Sequence, residues 1–294
     1  MGTDYSKRIG TLLPSSSTAS EYGDGTYIID KINNANFIDE PFPHLEIKDF
    51  LPPDVFTAIV NDDQIHFSAV NDTNTLYNKL IENGWRIQQF PGCSTSWNEY
   101  IQYIQRKLHD KSYSGGDTGI TFRLKSYNNP VIQKLLHFMN SYEFYTTLIN
   151  KFKISRSADM VSAIQKNLTG YEISPHPDIR QKALNINKDN DDIDAQNCHT
   201  HLLEFKPEYK HIEDGWAKNT NAERPWVPWE KCNIRKTINT NNTMVMFMPN
   251  SKPASLHAIK LDYNHLEYQR TQIYGNLIYK QETNSQALSE INVL

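Results

Sequence analysis

Ser174-Pro175-His176-Pro177-Asp178 is the stretch on which the fold turns. In an extended strand side chains alternate between faces, so His176 and Asp178 point the same way. The prolines on either side of His176 restrict the backbone to extended conformations. A His-x-Asp pair by itself arises often by chance and reads first as a surface turn. Its setting is more informative. From about residue 152 the chain reads as short strands: 162–168, 170–174, 182–187, 200–205, 243–248, 255–259 and 269–280. Many short strands after a helical half predict an α+β protein with a mainly β core, an antiparallel sandwich or barrel with helices packed on one face.

Upstream, Pro41-Phe42-Pro43-His44-Leu45-Glu46-Ile47 alternates as a strand, and Asp49-Phe50-Leu51-Pro52-Pro53-Asp54 opens a helix. Apolar spacing predicts helices over 73–83, 97–109 and 130–151. Residues 1–35, with the run Ser15-Ser16-Ser17-Thr18 and glycines at 23 and 25, read as a flexible arm. Residues 36–294 are expected to form one domain: a helical support region to 151, a strand core over 152–282 and a tail over 283–294. The polar run 206–236, which carries Trp216, Trp226 and Trp229, is expected to be an insert, either a lid or a surface loop pinned by its aromatics.

Composition narrows the class. The 294 residues are 38% hydrophobic and 22% charged, with 16 Tyr and 5 Trp, too aromatic for a disordered chain. A net charge of −4 without a Lys/Arg run argues against nucleic acid and against a membrane surface as partner. Three scattered cysteines and no CxxC pair give neither a disulfide framework nor a zinc-finger pattern. No apolar run suits a membrane helix or a signal peptide, so a cytoplasmic protein is expected.

A second histidine, His257, sits in the apolar strand Ala254-Ser255-Leu256-His257-Ala258-Ile259. Alone it reads as a hydrogen-bonded core residue. Arg270 then opens an alternating strand in which Arg270, Gln272, Tyr274 and Asn276 share one face, too polar for an ordinary core. His-x-Asp, a later His and an Arg soon after it resemble the Fe(II)/2-oxoglutarate-dependent oxygenases. Pro41–Pro52 and Arg180-Gln181-Lys182-Ala183-Leu184-Asn185-Ile186-Asn187 are similar to stretches of the prolyl-hydroxylase-like branch. The Gly-Gly that often precedes the next strand in that branch is replaced by Asn197-Cys198-His199-Thr200-His201.

The resemblance implies a double-stranded β-helix, a jelly-roll like that of cupins. It implies iron held by His176, Asp178 and His257, with open positions for 2-oxoglutarate and O2. Arg270 is implied as the clamp on the far carboxylate of 2-oxoglutarate, a role suited to a guanidinium fork. Tyr171, Lys182 and Gln272 are candidate cosubstrate contacts, although a regular strand would turn Tyr171 away from His176. His201, Tyr274, Trp216, Trp226, Trp229 and Arg224 are candidate substrate contacts, and no catalytic residue beyond the iron site is assigned. Related halogenases carry Gly or Ala in place of the carboxylate, so Asp178 implies hydroxylation, desaturation or cyclisation.

A small-molecule substrate is expected, with a protein prolyl or peptidyl hydroxylase as the alternative. Two readings from other classes stand beside these. One is a metal-free β-sandwich binding module; the other is a zinc hydrolase, which lacks an HExxH pattern here and gives Arg270 no role.

Overall fold

The computed structural model describes residues 23–66, 72–90, 92–106, 117–154, 158–177, 183–185, 200–213, 226–248, 253–261 and 270–279. The N-terminal half runs α1 (Gly23–Asn34), β1 (His44–Ile47), α2 (Pro53–Val60), α3 (Thr73–Glu82), β2 (Trp85–Ile87), α4 (Trp97–Gln105), β3 (Asp117–Thr118), β4 (Thr121–Leu124), α5 (Pro130–Met139) and α6 (Tyr142–Phe152). Strands then dominate: β5 (Ala158–Asn167), β6 (Glu172–Pro177), β7 (Ala183–Asn185), β8 (Thr200–Phe205), β9 (Cys232–Ile238), β10 (Thr243–Phe247), β11 (Leu256–Lys260) and β12 (Arg270–Tyr279).

The strands form two antiparallel sheets. One has seven strands in the order β1-β10-β7-β12-β5-β4-β2, the other five in the order β3-β6-β11-β8-β9. From β5 to β12 the chain alternates between the sheets, with only the β8–β9 hairpin staying in one. This is the strand order of the double-stranded β-helix, a double-sheet jelly roll.

Alternation sorts the seven-stranded sheet into two faces. Met244, Met246, Ile164 and Ile273 join a buried core with Ile59, Leu80, Tyr100, Leu135 and Leu148 of the helices. The opposite face, turned towards the five-stranded sheet, carries Arg270 and Gln272 on β12, Gln165 on β5 and Phe247 on β10. The helices thus cover one side and leave the polar rows of β5 and β12 for the inter-sheet space.

Four sequence expectations change. Residues 23–34 of the expected arm are a helix whose Ile28 and Ile32 are fully buried. Gly25, read as looseness, is a packing contact: a Cβ there would lie 2.9 Å from the Phe138 ring. The helix expected over 130–151 is two, because Asn140 ends α5 and the Ser141 side chain caps α6 by accepting from the Phe144 amide. Residues 232–236, assigned to the insert, belong to β9, the edge strand of the five-stranded sheet. Finally, β2, β3 and β4 were not anticipated; they are two to four residues long, too short for a clear period. Residues 1–22 and 280–294 lie outside the described residues.

One buried charge ties the helical layer to the sheet. The Lys166 ammonium donates to the Ile65 carbonyl and to Thr271 Oγ1 at 2.6 Å, and stands 4.9 Å from the Trp85 ring centre. Burial pulls its pKa from 10.5 down to about 7. Between those values the folded chain binds fewer protons than the unfolded one, so stability rises with pH across that window. The slope has a ceiling of about 1.4 kcal/mol per pH unit. Urea unfolding at pH 7, 8 and 9 is expected to show rising stability that Lys166→Met flattens. An unchanged slope in the variant would assign the effect to another group.

Candidate metal centre

His176 and His257 meet because β6 and β11 are neighbours. The two residues are direct partners in the antiparallel ladder, and their ring centres lie 4.4 Å apart. Both rings are held by the same device. His176 Nδ1 is 2.7 Å from the Ser174 carbonyl oxygen, and His257 Nδ1 is 2.9 Å from that of Ser255. A carbonyl only accepts, so each Nδ1 carries the hydrogen and, in the neutral ring, each Nε2 carries the lone pair. A metal bound through Nε2 requires that tautomer, which a backbone acceptor at Nδ1 fixes. Both residues are buried. The Trp226 ring is 5.1 Å from His176 and the Phe247 ring 4.7 Å from His257, which walls the pair with aromatic carbon.

Asp178 lies just past the end of β6, outside the described residues. Among the described residues no group of three His, Cys, Asp or Glu side chains could hold a metal ion. The imidazole pair supplies two nitrogen donors from adjacent strands, and the donor chemistry fits a divalent transition metal that completes its shell elsewhere.

A β-bulge sets the inward face of β6. His257 pairs with His176, but Ile259 pairs with Ile173, so Ser174 and Pro175 together stand opposite Ala258. The extra residue inverts the alternation. Ile173 and Tyr171 therefore share the inward face with His176, contrary to the count for a regular strand. Tyr171, Ile173, His257 and Ile259 all line one cavity of about 80 Å³ between the sheets. Gly119 permits this packing: at φ +78° its missing Cβ would meet the Tyr171 Cα at 2.6 Å.

Thr200, Gln165, Gln272 and Tyr274 face the same cavity from β8, β5 and β12. Arg270 stands in the row behind them and is 3% exposed. Its guanidinium donates to Thr200 Oγ1 at 3.0 Å, to Asn167 Oδ1 at 3.4 Å and to Gln272 Oε1. Two of these acceptors, Thr200 and Gln272, are themselves cavity walls, so the charge is fixed at the edge of the space that His257 lines.

Two expected substrate contacts lie elsewhere. His257 pairs with Leu202 and Ala258 with His201, so His201 is on the outer face of the five-stranded sheet, away from His257. There Nδ1 meets Thr237 Oγ1 at 3.0 Å. Burial, with smaller contributions from Arg270 and Lys260, holds its pKa down at about 4. Trp229 is on that outer face too, its indole donating to Glu172 Oε1 at 2.6 Å. Burial raises the Glu172 pKa, against the pull of Trp229, Lys260 and Ser174. In the insert, residues 207–212 and Trp229 pack on the outer-face cluster of Leu203, Phe205 and Leu256. Only Trp226 of the insert's described tryptophans reaches one of the paired histidines. Trp216, Arg224 and Lys182 lie outside the described residues. The sequence reading missed Phe90, Phe247 and Arg123; the first two line the cavity.

Fold and site together define a double-stranded β-helix protein with paired imidazoles beside an inter-sheet cavity. No protein-family model and no curated protein matches the sequence. Solved structures similar to it include prolyl 4-hydroxylases and other 2OG-Fe(II) oxygenases at low identity. A prolyl-4-hydroxylase from Pseudomonas putida gives a TM-score of 0.42 at 9% identity, over 86% of this chain and 98% of that one. A 2OG-Fe(II) oxygenase family oxidoreductase from Burkholderia pseudomallei gives 0.34 at 10%, over 72% and 93%. The non-haem α-ketoglutarate-dependent epimerase of nogalamycin biosynthesis gives 0.35 at 9%, over 89% and 87%. No helix among the described residues is long and apolar enough to cross a membrane.

Proposed function

We propose that the chain is an Fe(II)/2-oxoglutarate-dependent oxygenase that hydroxylates, or otherwise oxidises at C–H, a small molecule. The observation that carries this is the pair His176 and His257, in register on adjacent strands with both Nδ1 hydrogens committed to backbone carbonyls. Arg270, buried at the edge of the adjoining cavity, supports the choice of cosubstrate.

His176 and His257 would hold the iron through Nε2, with Asp178 as the third ligand. Iron bound there would supply, with 2-oxoglutarate and O2, the oxidising power for C–H oxidation. The Ser174 and Ser255 carbonyls keep the imidazoles in the ligating tautomer. Arg270 holds the far carboxylate of 2-oxoglutarate, with Thr200 and Gln272 steering its guanidinium. Phe247 and Trp226 keep water from the imidazole pair. The cavity of about 80 Å³ has room for roughly five to eight waters, the scale of a small organic acid such as the cosubstrate.

Succinate release from 2-oxoglutarate, with Fe(II) and air, tests the ligand assignment. The wild-type protein is expected to release succinate and Asp178→Gly to lose at least about a hundredfold of that rate. Full retention by Asp178→Gly would remove Asp178 from the site.

A further inference from the structure

The cavity has a second cation at its rim. Arg123 on β4 is paired with Gln165 of β5, which is paired with Gln272 of β12, so the three form one row on the inward face. Arg123 lies across two aromatic rings that line the cavity, 5.4 Å from the centre of Phe90 and 5.2 Å from that of Tyr274. It is half-buried, and its Nε is a buried donor with no hydrogen-bond acceptor among the described residues. No carboxylate among the described residues pairs with it; the ion pairs found there involve Arg235, Lys236 and Lys260.

Arg86 of β2 stands opposite Arg123 in the ladder, but its guanidinium is turned to the Ile81 and Trp85 carbonyls, to which it donates. Arg123 donates to the Tyr274 hydroxyl at 3.2 Å, and Asn276 Nδ2 donates to the same oxygen at 3.1 Å. The Tyr274 hydroxyl thus lies between the Arg123 guanidinium and the Asn276 amide. The Arg123 Nε–H is a donor without an acceptor among the described residues, on a guanidinium held against two rings that line the cavity. Cation–π contact explains how Arg123 is held, but it leaves the Nε–H unmet.

We propose that Arg123, assisted by the Tyr274 hydroxyl, recognises a carboxylate on the substrate. This rests on the oxygenase reading and narrows it to an acidic small molecule. Arg270 is a separate reader. Its strand is two places from β4, roughly 10 Å across the sheet, and its guanidinium turns towards Thr200, whereas Arg123 reaches Tyr274.

The test uses metal-free protein, so it does not depend on iron chemistry. N-acetylglycine and its primary amide differ only in the carboxylate. Each is titrated while the side-chain Nε–H signal of Arg123 is followed by NMR, identified by its absence in Arg123→Lys. The acid is expected to move that signal and to bind about tenfold more tightly than the amide. Arg123→Gln is expected to erase the preference, Arg123→Lys to keep part of it, and Tyr274→Phe to weaken the acid several-fold. The proposal is overturned if wild-type protein does not discriminate at Arg123, whether both probes bind or neither does. It is equally overturned if the preference survives in Arg123→Gln. An acid that moves only the Arg270 signal overturns it as well. Succinate release by the iron-loaded enzyme is read separately, so loss of that activity with intact discrimination at Arg123 points to the oxygenase reading alone.

Discussion

His257→Ala protein is expected to fold and to bind no stoichiometric Fe(II). The histidine sits on β11, held between β6 and β8 by ladder hydrogen bonds that do not involve its ring. Truncation removes an imidazole from between Phe247 and His176 but leaves the strand pairing in place. Changing a group that merely orients a ligand costs 10- to 100-fold in metal affinity, so losing a ligand should cost at least about a hundredfold. Equilibrium dialysis against Fe(II) under nitrogen measures this, with the melting temperature of the metal-free protein as the check on folding. Retention of one tightly bound iron by the variant would mean that His257 is a core histidine.

Arg270→Gln is expected to spare iron binding and to weaken 2-oxoglutarate by about a hundredfold. A hydrogen bond to a charged group contributes about 1.5–3 kcal/mol, and a guanidinium fork offers a carboxylate two of them. The side chain is already fixed by Thr200, Asn167 and Gln272, so little ordering remains to oppose binding. Arg270→Lys keeps the charge without the fork and is expected to fall between wild type and Arg270→Gln. Removing Arg270 also strands three buried acceptors, so Arg270→Gln should melt earlier as well. Affinity is therefore compared below the melting temperature of each variant. Equal 2-oxoglutarate affinity in all three proteins would give Arg270 a structural role only.

Much of this was legible because the relevant signals are local. Period two over 269–280 marks a strand whose faces differ in polarity, β12, and the apolar run 243–248 marks β10. The shared face of Arg270, Gln272 and Tyr274 was readable from the alternation alone. Features that depend on a non-local partner were not. The bulge at Ser174 and Pro175 shifts β6 by one residue against β11, and no periodicity in a six-residue strand shows such a shift. Tyr171 consequently turned inward against the count. His201 was misplaced for a related reason: which face of β8 looks inward is decided by its pairing with β11.

β9 was hidden because an edge strand exposed on one side reads as a polar loop, and Cys232–Ile238 alternates only weakly. α1 was hidden by its glycines, one of which allows close approach to Phe138. Arg123 was silent in a four-residue strand, since its meaning lies in the rings of Phe90 and Tyr274 from distant parts of the chain.

The most direct test of the oxygenase reading is spectroscopic. Anaerobic addition of Fe(II) and 2-oxoglutarate to the wild-type protein is expected to give a weak visible charge-transfer band that saturates at one equivalent of metal and is missing in His257→Ala. A well-folded wild-type protein that gives no such band would contradict the assignment.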